Sequence, residues 1–293
     1  MKSGFVAILG QPNVGKSTFL NAILSKKVSI VSPKPQTTRD KILGILTEKD
    51  YQMVFIDTPG LFEGEEALDR FMNKEARRSL ADADAVLYII AADTRNLDAD
   101  LKMIHSLNIS CPLFLLVNKI DLVRAPQMEA LLAKIKEAYP NIHLFEMSAL
   151  TNFGLKDVKE AVAAVLPEGP QFYEKDALTD KGDAFTVKET IRAGLLHFLS
   201  DEVPHQSAVT IESMNGNGKE VYIEATVWVE KKSQIGIVVG QGGAMIKRIS
   251  MTARRELERV WHKHVDLRIE VRNAPDWRNK ADRLKAFGYT EEK

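Results

Sequence analysis

Cysteine is almost absent from this chain. Among 293 residues there is only Cys111. No disulfide can form within the chain, and a single thiol followed by a proline and an apolar run reads as buried and inert rather than catalytic. Net charge is absent as well, because 40 Lys and Arg balance 40 Asp and Glu. The chain as a whole therefore has no bias toward nucleic acid or a membrane surface. Long apolar runs are missing: Ala85 to Ala92 falls well short of the roughly 20 residues that a bilayer span needs. The apolar run at the N-terminus leads straight into a glycine loop and does not resemble a secretory signal. There is no internal repeat and no low-complexity tract. A reducing cytosol fits these absences. What is present is ordinary for a globular protein, with 45% hydrophobic and 27% charged residues. The length allows about two domains.

The most informative stretch is Gly10-Gln11-Pro12-Asn13-Val14-Gly15-Lys16-Ser17, a G-x-x-x-x-G-K-S pattern followed by Thr18. Phe5–Leu9 before it suits a buried strand, and the residues after it have helical spacing. Strand, glycine loop and helix together make a phosphate loop. Glycines let backbone N–H groups curl around phosphate oxygens, and the helix N-terminus adds partial positive charge. Lys16 can reach the β- and γ-phosphates, and Ser17 can ligate Mg²⁺. An ordinary glycine turn is the bland alternative.

Residues 1 to about 166 alternate apolar strands with amphipathic segments, which predicts an α/β domain with a mostly parallel sheet. Strands are expected at Phe5–Leu9, Ile42–Glu48, Gln52–Asp57, Ala85–Ala91, Leu113–Asn118 and His143–Met147. Helices are expected at Glu65–Leu80, Asp98–Leu107, Gln127–Ala138 and Leu155–Val165. The short gap Lys49-Asp50-Tyr51 predicts a hairpin, so one sheet edge should be antiparallel. Residues 167–183, opening on Pro167-Glu168-Gly169-Pro170, are polar and read as a linker. A second domain, 184–293, should open with a helix at Phe185–Leu199. Strands Ala208–Met214 and Glu220–Glu230 flank the turn signal Asn215-Gly216-Asn217-Gly218. A glycine loop, a helix from Ala244 to about Trp261, a strand Asp266–Arg272 and a short helix complete it.

Further sites fall at strand ends. Asp57-Thr58-Pro59-Gly60 follows a strand; its carboxylate suits a water-bridged Mg²⁺ ligand, and the Gly60 N–H can bond a γ-phosphate. Asn118-Lys119-Ile120-Asp121 also ends a strand. Asp121 can accept from guanine N1–H and N2–H₂, a donor pair that adenine lacks. Asn118 can bond the base, and the Lys119 stem can cover its face. Ser148-Ala149 would offer a backbone N–H to guanine O6. In the loop Gln36-Thr37-Thr38-Arg39-Asp40, a threonine hydroxyl can complete the Mg²⁺ shell when a γ-phosphate holds the loop. A surface ST-turn is the alternative there.

In the second domain, Gly240-Gln241-Gly242-Gly243 gives G-x-x-G, a loop that can clamp a nucleic-acid backbone or simply make a tight turn. From Lys231 to Lys263 there are eight Lys or Arg against two Glu. Lys247, Arg248, Arg254 and Arg255 follow the loop closely, which suits phosphate attraction. Arg259 and Lys263 also read as a solvated helix face. A dinucleotide loop is disfavoured, because no acidic ribose ligand follows on a second strand.

With these motifs in this order, the chain resembles the translation-factor-like branch of GTPases, and more closely the Era family. Leu178-Thr179-Asp180, Glu189-Thr190-Ile191-Arg192, and Trp277 through Phe287-Gly288-Tyr289 extend the likeness across the second domain. The resemblance implies a P-loop GTPase domain with a mostly parallel sheet, followed by a smaller α+β type II KH domain. It implies slow hydrolysis of GTP to GDP with Mg²⁺, held by Ser17, Thr38 and Asp57, and it points to Thr38 over Thr37. Asn13, Lys16, Thr38 and Gly60 are the expected catalytic residues. Leu61 stands where many signalling GTPases carry a water-orienting glutamine. Asn13 resembles an asparagine that relatives use to hold K⁺, although a loop-stabilising role is equally open. The implied RNA contacts are Gly240, Gln241, Gly242, Gly243, Lys247, Arg248 and Arg254. The middle of the loop lacks the lysine common in relatives, which shifts weight to Lys247 and Arg248. Ile235–Val239 has the composition of a strand, yet the family fold needs a helix there. The implied partners are the 3′ end of 16S rRNA and the small (30S) ribosomal subunit, bound by a cytoplasmic monomer. Peripheral association with the inner membrane is a further implication. The rival readings are a GTP-controlled switch that acts on protein or lipid, and an RNA chaperone that holds GTP only as a structural ligand.

Overall fold

Alternation along the first strand decides the architecture. In β1 (Lys2–Leu9), Val6 and Ile8 face one core while Ala7 and Leu9 face another. A strand buried on both faces belongs inside a sheet with helices on each side. The computed structural model describes residues 1–34, 37–60 and 66–289. The described residues form two compact units, one within Met1–Glu63 and Met72–Asp180, the other within Gly64–Phe71 and Lys181–Lys293.

The first unit carries α1 (Lys16–Leu24), β2 (Ile42–Thr47), β3 (Tyr51–Asp57), β4 (Ala85–Ala91), α3 (Leu97–Ser106), β5 (Leu113–Asn118), α4 (Ala125–Ala138), β6 (His143–Glu146) and α5 (Leu155–Val165). Helix α2 (Ala67–Ala81) begins among residues of the second unit and continues into the first. The sheet order is β2-β3-β1-β4-β5-β6, and β2 alone runs antiparallel, paired with β3 as a hairpin. One core joins Phe19, Leu20 and Ile23 of α1 to Val158 and Val162 of α5; the other joins Ile104, Met128, Leu131 and Ile135 from α3 and α4. Because β1 is flanked by β3 and β4, the chain order reverses beside its C-terminal end. Parallel sheets open their binding crevice at such a point.

Residues 167–180 are not the free linker that their polarity suggests. Ser3 N–H donates to Pro167 O (3.0 Å), and Ile45 N–H donates to Leu178 O (2.9 Å). Leu43 N–H donates to the Asp180 carboxylate (3.1 Å). The buried Gln52 amide accepts from Phe172 and Tyr173 N–H and donates to Tyr173 O. This strap satisfies backbone groups along the β2–β3 edge, so it belongs with the first unit up to Asp180.

The second unit runs α6 (Asp183–Phe198), β7 (Ser207–Gly216), β8 (Glu220–Val229), α7 (Lys232–Val239), α8 (Ala244–Trp261), β9 (His264–Asn273) and α9 (Ala281–Ala286). β8 lies between an antiparallel β7 and a parallel β9. Val187, Ile191 and Leu195 of α6 and Ile249, Ala253 and Leu257 of α8 recur every four residues and form stripes that pack on the odd-numbered face of β8, Val221 to Val229. Residues 232–239 are helical despite their β-branched composition. The buried Gln234 side chain accepts from Lys231 N–H (2.9 Å), which caps the helix start, and Val238 turns into the core. Tertiary packing overrides propensity here.

Candidate nucleotide and RNA sites

The loop after β1 needs backbone shapes that few residues take. Gly10 has φ 141°, and a Cβ there would lie 2.3 Å from the Ile89 carbonyl oxygen. Gly15 has φ 101°, and its Cβ would strike the Asn118 amide at 2.3 Å. Asn13 adopts φ 64°, a left-handed conformation that asparagine tolerates better than most residues. Lys16 then opens α1, so the helix N-terminus faces the cavity. That cavity, about 290 Å³, is lined by Asn13, Lys16, Ser17, Thr38, Gly60 and Lys119 among others. Pro12 and Thr18 line it as well, while Val14 is buried beneath.

Lys16 is buried, and its ammonium donates to the carbonyls of Gly10 (3.1 Å) and Gln11 (2.9 Å). Burial lowers its pKa to about 8, and the nearby Asp57 and Asp100 charges oppose that shift. A buried cation held at the mouth of a helix N-terminus is built to meet an anion.

Beside it the Ser17 and Thr38 hydroxyls lie 2.8 Å apart, and Ser17 donates to Asp57 Oδ2 (2.9 Å). Ser29 donates to the same oxygen (3.0 Å). Asp57 is fully buried, and its Oδ1 has no hydrogen-bond partner. Burial pushes this carboxyl up, while Lys16, Ser17 and Ser29 pull it back down. Two hydroxyls and a buried carboxylate with an unused oxygen make a hard-oxygen set that fits Mg²⁺. Thr37, in contrast, donates to Lys34 O (2.6 Å). Thr58 donates to Ile8 O (2.9 Å), tying the end of β3 to β1. A Cβ on Gly60 would come within 2.9 Å of Pro12 N, so the Asp57–Gly60 loop lies against the phosphate loop. Gln36 and Leu61 lie outside the described residues.

At the end of β5, Asn118 braces two loops. Its Nδ2 donates to Val14 O (2.8 Å) and its Oδ1 accepts from Ala149 N–H (2.9 Å). Nδ2 keeps a second hydrogen that can serve a base. The expected backbone donors to guanine O6 are placed differently: Ala149 N–H goes to Asn118, and Ser148 N–H goes to Phe153 O (3.1 Å). Ser148 contributes through its hydroxyl, which donates to Asp121 Oδ1 (2.5 Å) and holds that exposed carboxylate. Lys119, at φ 65°, turns the chain between Asn118 and Ile120-Asp121.

Sequence reasoning missed Ser29 and Asn21. Asn21 on α1 accepts from Val28 and Ser29 N–H and donates to Ser29 O, which pins the start of the loop that reaches Thr38. Its i+7 and i+8 contacts follow no motif spacing, so no local signal marks them.

In the second unit, Gly240 (φ 73°), Gly242 (φ 58°) and Gly243 (φ 81°) turn the chain from α7 into α8. A Cβ on Gly240 would meet Met245, whereas Gly242 and Gly243 face open space. Gln241 and Lys247 are exposed, and Ile237 beside them is 51% exposed. The Arg248 guanidinium lies 4.8 Å over the Phe198 ring. Arg254 has Glu258 at 3.9 Å, so part of its charge is answered within the helix. An open glycine turn, a helix N-terminus, the exposed cations Lys247 and Arg248 and an exposed aliphatic suit a nucleic-acid backbone and unstacked bases.

Fold and site together define a P-loop GTPase joined to a KH domain. The family model described as 50S ribosome-binding GTPase matches residues 5–119, and that of the KH domain matches residues 202–278. GTPase Era of Thermoanaerobacter sp. (strain X514) is 42% identical over 100% of this chain and 98% of its own length. GTPase Era of Lacticaseibacillus paracasei is 42% identical over 98% of this chain and 96% of its own. Among solved structures, Era in complex with MgGDPNP and nucleotides 1506–1542 of 16S ribosomal RNA matches with TM-score 0.95 at 32% identity, covering 99% of this chain and 100% of that one. A point variant of Aquifex aeolicus Era bound to GDP·AlF₄⁻ matches with TM-score 0.94 at 33% identity, over 99% and 100%. The chain belongs to the Era family of GTPases, P-loop enzymes that hydrolyse GTP.

Proposed function

We propose that this enzyme couples its nucleotide state to binding of the 3′ region of 16S rRNA through Gly240–Gly243, Lys247, Arg248 and Arg254, and thereby assists small-subunit assembly in the cytoplasm. One observation carries the reading: a relative aligned over the full chain was solved with MgGDPNP and that RNA segment together. Mg²⁺, when bound by Ser17, Thr38 and Asp57, would neutralise charge on the phosphates. Lys16 gives a fixed positive charge, and the phosphate-loop N–H groups orient the polyphosphate in a site held by buried hydrogen bonds. Thr38 and Gly60 make the site sensitive to the γ-phosphate, since each sits on a loop against Ser17 or Pro12. Asn13, exposed and lining the cavity, is the residue for K⁺. Among the described residues no helix is long and apolar enough to cross a membrane.

The test is fluorescence anisotropy of RNA matching the 3′ end of 16S rRNA, with a scrambled RNA and anionic vesicles alongside. With GDPNP bound, the specific RNA should bind at least about tenfold tighter than with GDP, a coupling of about 1.4 kcal/mol. Equal affinity in both states, or tighter binding to vesicles, sinks the reading. Phosphate release in K⁺ against Na⁺ tests Asn13: the Asn13→Ala variant should lose any K⁺ stimulation.

A further inference from the structure

The two oxygens of the buried Asp57 carboxyl are used differently. Oδ2 accepts from Ser17 (2.9 Å) and from Ser29 (3.0 Å), while Oδ1 has no hydrogen-bond partner among the described residues. Ser17 belongs to the expected Mg²⁺ set and Ser29 does not. Ile30, Val31 and Ser32 line the phosphate cavity, whereas Ser29, just before them, is 2% exposed. Its hydroxyl spends its one hydrogen on Asp57. Asn21 fixes Ser29 in place. The Asn21 side-chain oxygen accepts from Val28 N–H (2.9 Å) and Ser29 N–H (3.0 Å), and Nδ2 donates to Ser29 O (2.8 Å). Asn21 follows Ser17 by four residues, on the same face of α1. The helix therefore grips Asp57 twice, directly through Ser17 and indirectly through Asn21 and Ser29.

We infer that Ser29 is a positioning residue for the metal site, holding Asp57 by Oδ2 so that Oδ1 stays available to Mg²⁺ or to its bound water. A carboxyl held by one donor can pivot about that bond, and a second donor on the same oxygen removes the pivot. Ser17 alone would be a poor anchor, because its hydroxyl is shared with the metal. Ser29 has no such second duty. Partners that orient a metal's ligands carry about 10–100-fold of its affinity. The anchor is built from α1 and the root of the loop, well before Thr38, so it needs no γ-phosphate. It should therefore serve GDP and GTP alike. The inference rests on the reading of Ser17, Thr38 and Asp57 as metal ligands and is independent of the RNA reading.

The experiment measures the affinity of the full chain for fluorescent GDP and GDPNP, in EDTA and across a Mg²⁺ titration. In the wild type Mg²⁺ should tighten both nucleotides. Ser29→Ala should need about tenfold more Mg²⁺ to reach half of that gain with either nucleotide, while its affinity in EDTA stays within about twofold of wild type. A residue that only propped the fold would lower the EDTA affinity as well. Asn21→Ala should move the GDP midpoint the same way, by about threefold, and no further in a Ser29→Ala chain, since it acts through Ser29. GDP is the ligand for that pair, because Thr38 is expected to join the metal only with a γ-phosphate present. An unmoved midpoint in Ser29→Ala, a shift confined to GDPNP, an equal loss in EDTA, or additive shifts in the pair would each overturn the inference. If thermal unfolding shows that Ser29→Ala does not fold, Ser29→Cys decides. Its thiol is a weak donor, so the midpoint should move by about threefold, and an unmoved one counts against the anchor. Asp57→Asn separates this inference from the reading beneath it. That variant should lose most of the Mg²⁺ gain; if it keeps all of it, the metal assignment falls and the inference with it.

Discussion

The two ligand sites of this chain are built in opposite ways. The nucleotide site is made of buried polar groups: Lys16, Thr38, Asp57, Asn118 and Ser148 are all below 8% exposed, and each holds protein hydrogen bonds. The glycine loop of the second unit is open, with Gln241, Gly242, Lys247 and Arg248 exposed. The difference matches the ligands. A nucleotide is small and must be placed to a fraction of an ångström for chemistry, which demands rigid, shape-specific partners. A single-stranded RNA is long and is held by many weak phosphate and stacking contacts, which mobile surface cations serve well.

Mutation and salt can sharpen this contrast. The largest effect should come from Lys16→Ala, which should weaken GTP by at least about a hundredfold, since each charge-assisted bond is worth about 1.5–3 kcal/mol. Calorimetry checks this, and retained micromolar affinity would remove the phosphate-loop assignment. Asp121→Asn should move preference from guanine to xanthine nucleotides by about a hundredfold, because an amide can donate to the xanthine oxygen that replaces the guanine amine. Competition with XTP reads it, and an unchanged preference would count against Asp121. Gly242→Asp should weaken RNA about tenfold and leave GDP affinity intact. Its added Cβ meets nothing within 4 Å, so the loss comes from the left-handed φ of 58° and the new negative charge. Raising salt should loosen RNA steeply and nucleotide little; matching salt slopes would erase the contrast between an exposed and a buried site.

The smallest effect concerns pH. Asp100 has its folded carboxyl raised to about 6 from the ordinary 3.8. The folded state therefore holds a proton that the unfolded chain has released. The stability tied to that proton is full below about 3.8 and lost as pH rises through about 6. Asp100→Asn lacks this loss. Its melting temperature relative to wild type should be higher at pH 7 than at pH 4, and an equal difference at both pH values would contradict the shift.

The motifs were legible because each is contiguous and sits at a strand end. Gly10–Ser17, Asp57–Gly60 and Asn118–Asp121 follow β1, β3 and β5, and apolar alternation located those strands to within a few residues. The helix at 232–239 was legible only through the family, because its β-branched composition argues for a strand. The contacts of residues 167–180 were not legible, because the Phe172 and Tyr173 backbone pairs with Gln52 and Asp180 pairs with the β2 edge, which a composition count cannot anticipate. The guanine-side detail was also hidden: the acceptor that the Ala149 N–H finds is Asn118 Oδ1, 31 positions away in sequence.

By itself, then, the sequence determined the chemistry on offer: a phosphate loop, two further strand-end motifs that carry Asp57 and Asp121, and a glycine turn rich in nearby cations. Local spacing suffices for these, because each works through neighbours in the chain. Tertiary structure decided what holds them. Ser29 reaches Asp57 across 28 positions, beside the crevice opened where the sheet order puts β1 between β3 and β4, and Asn21 pins the loop toward Thr38 through Val28 and Ser29. These side chains are ordinary polar residues in sequence, and burial at that crossing makes each of them specific.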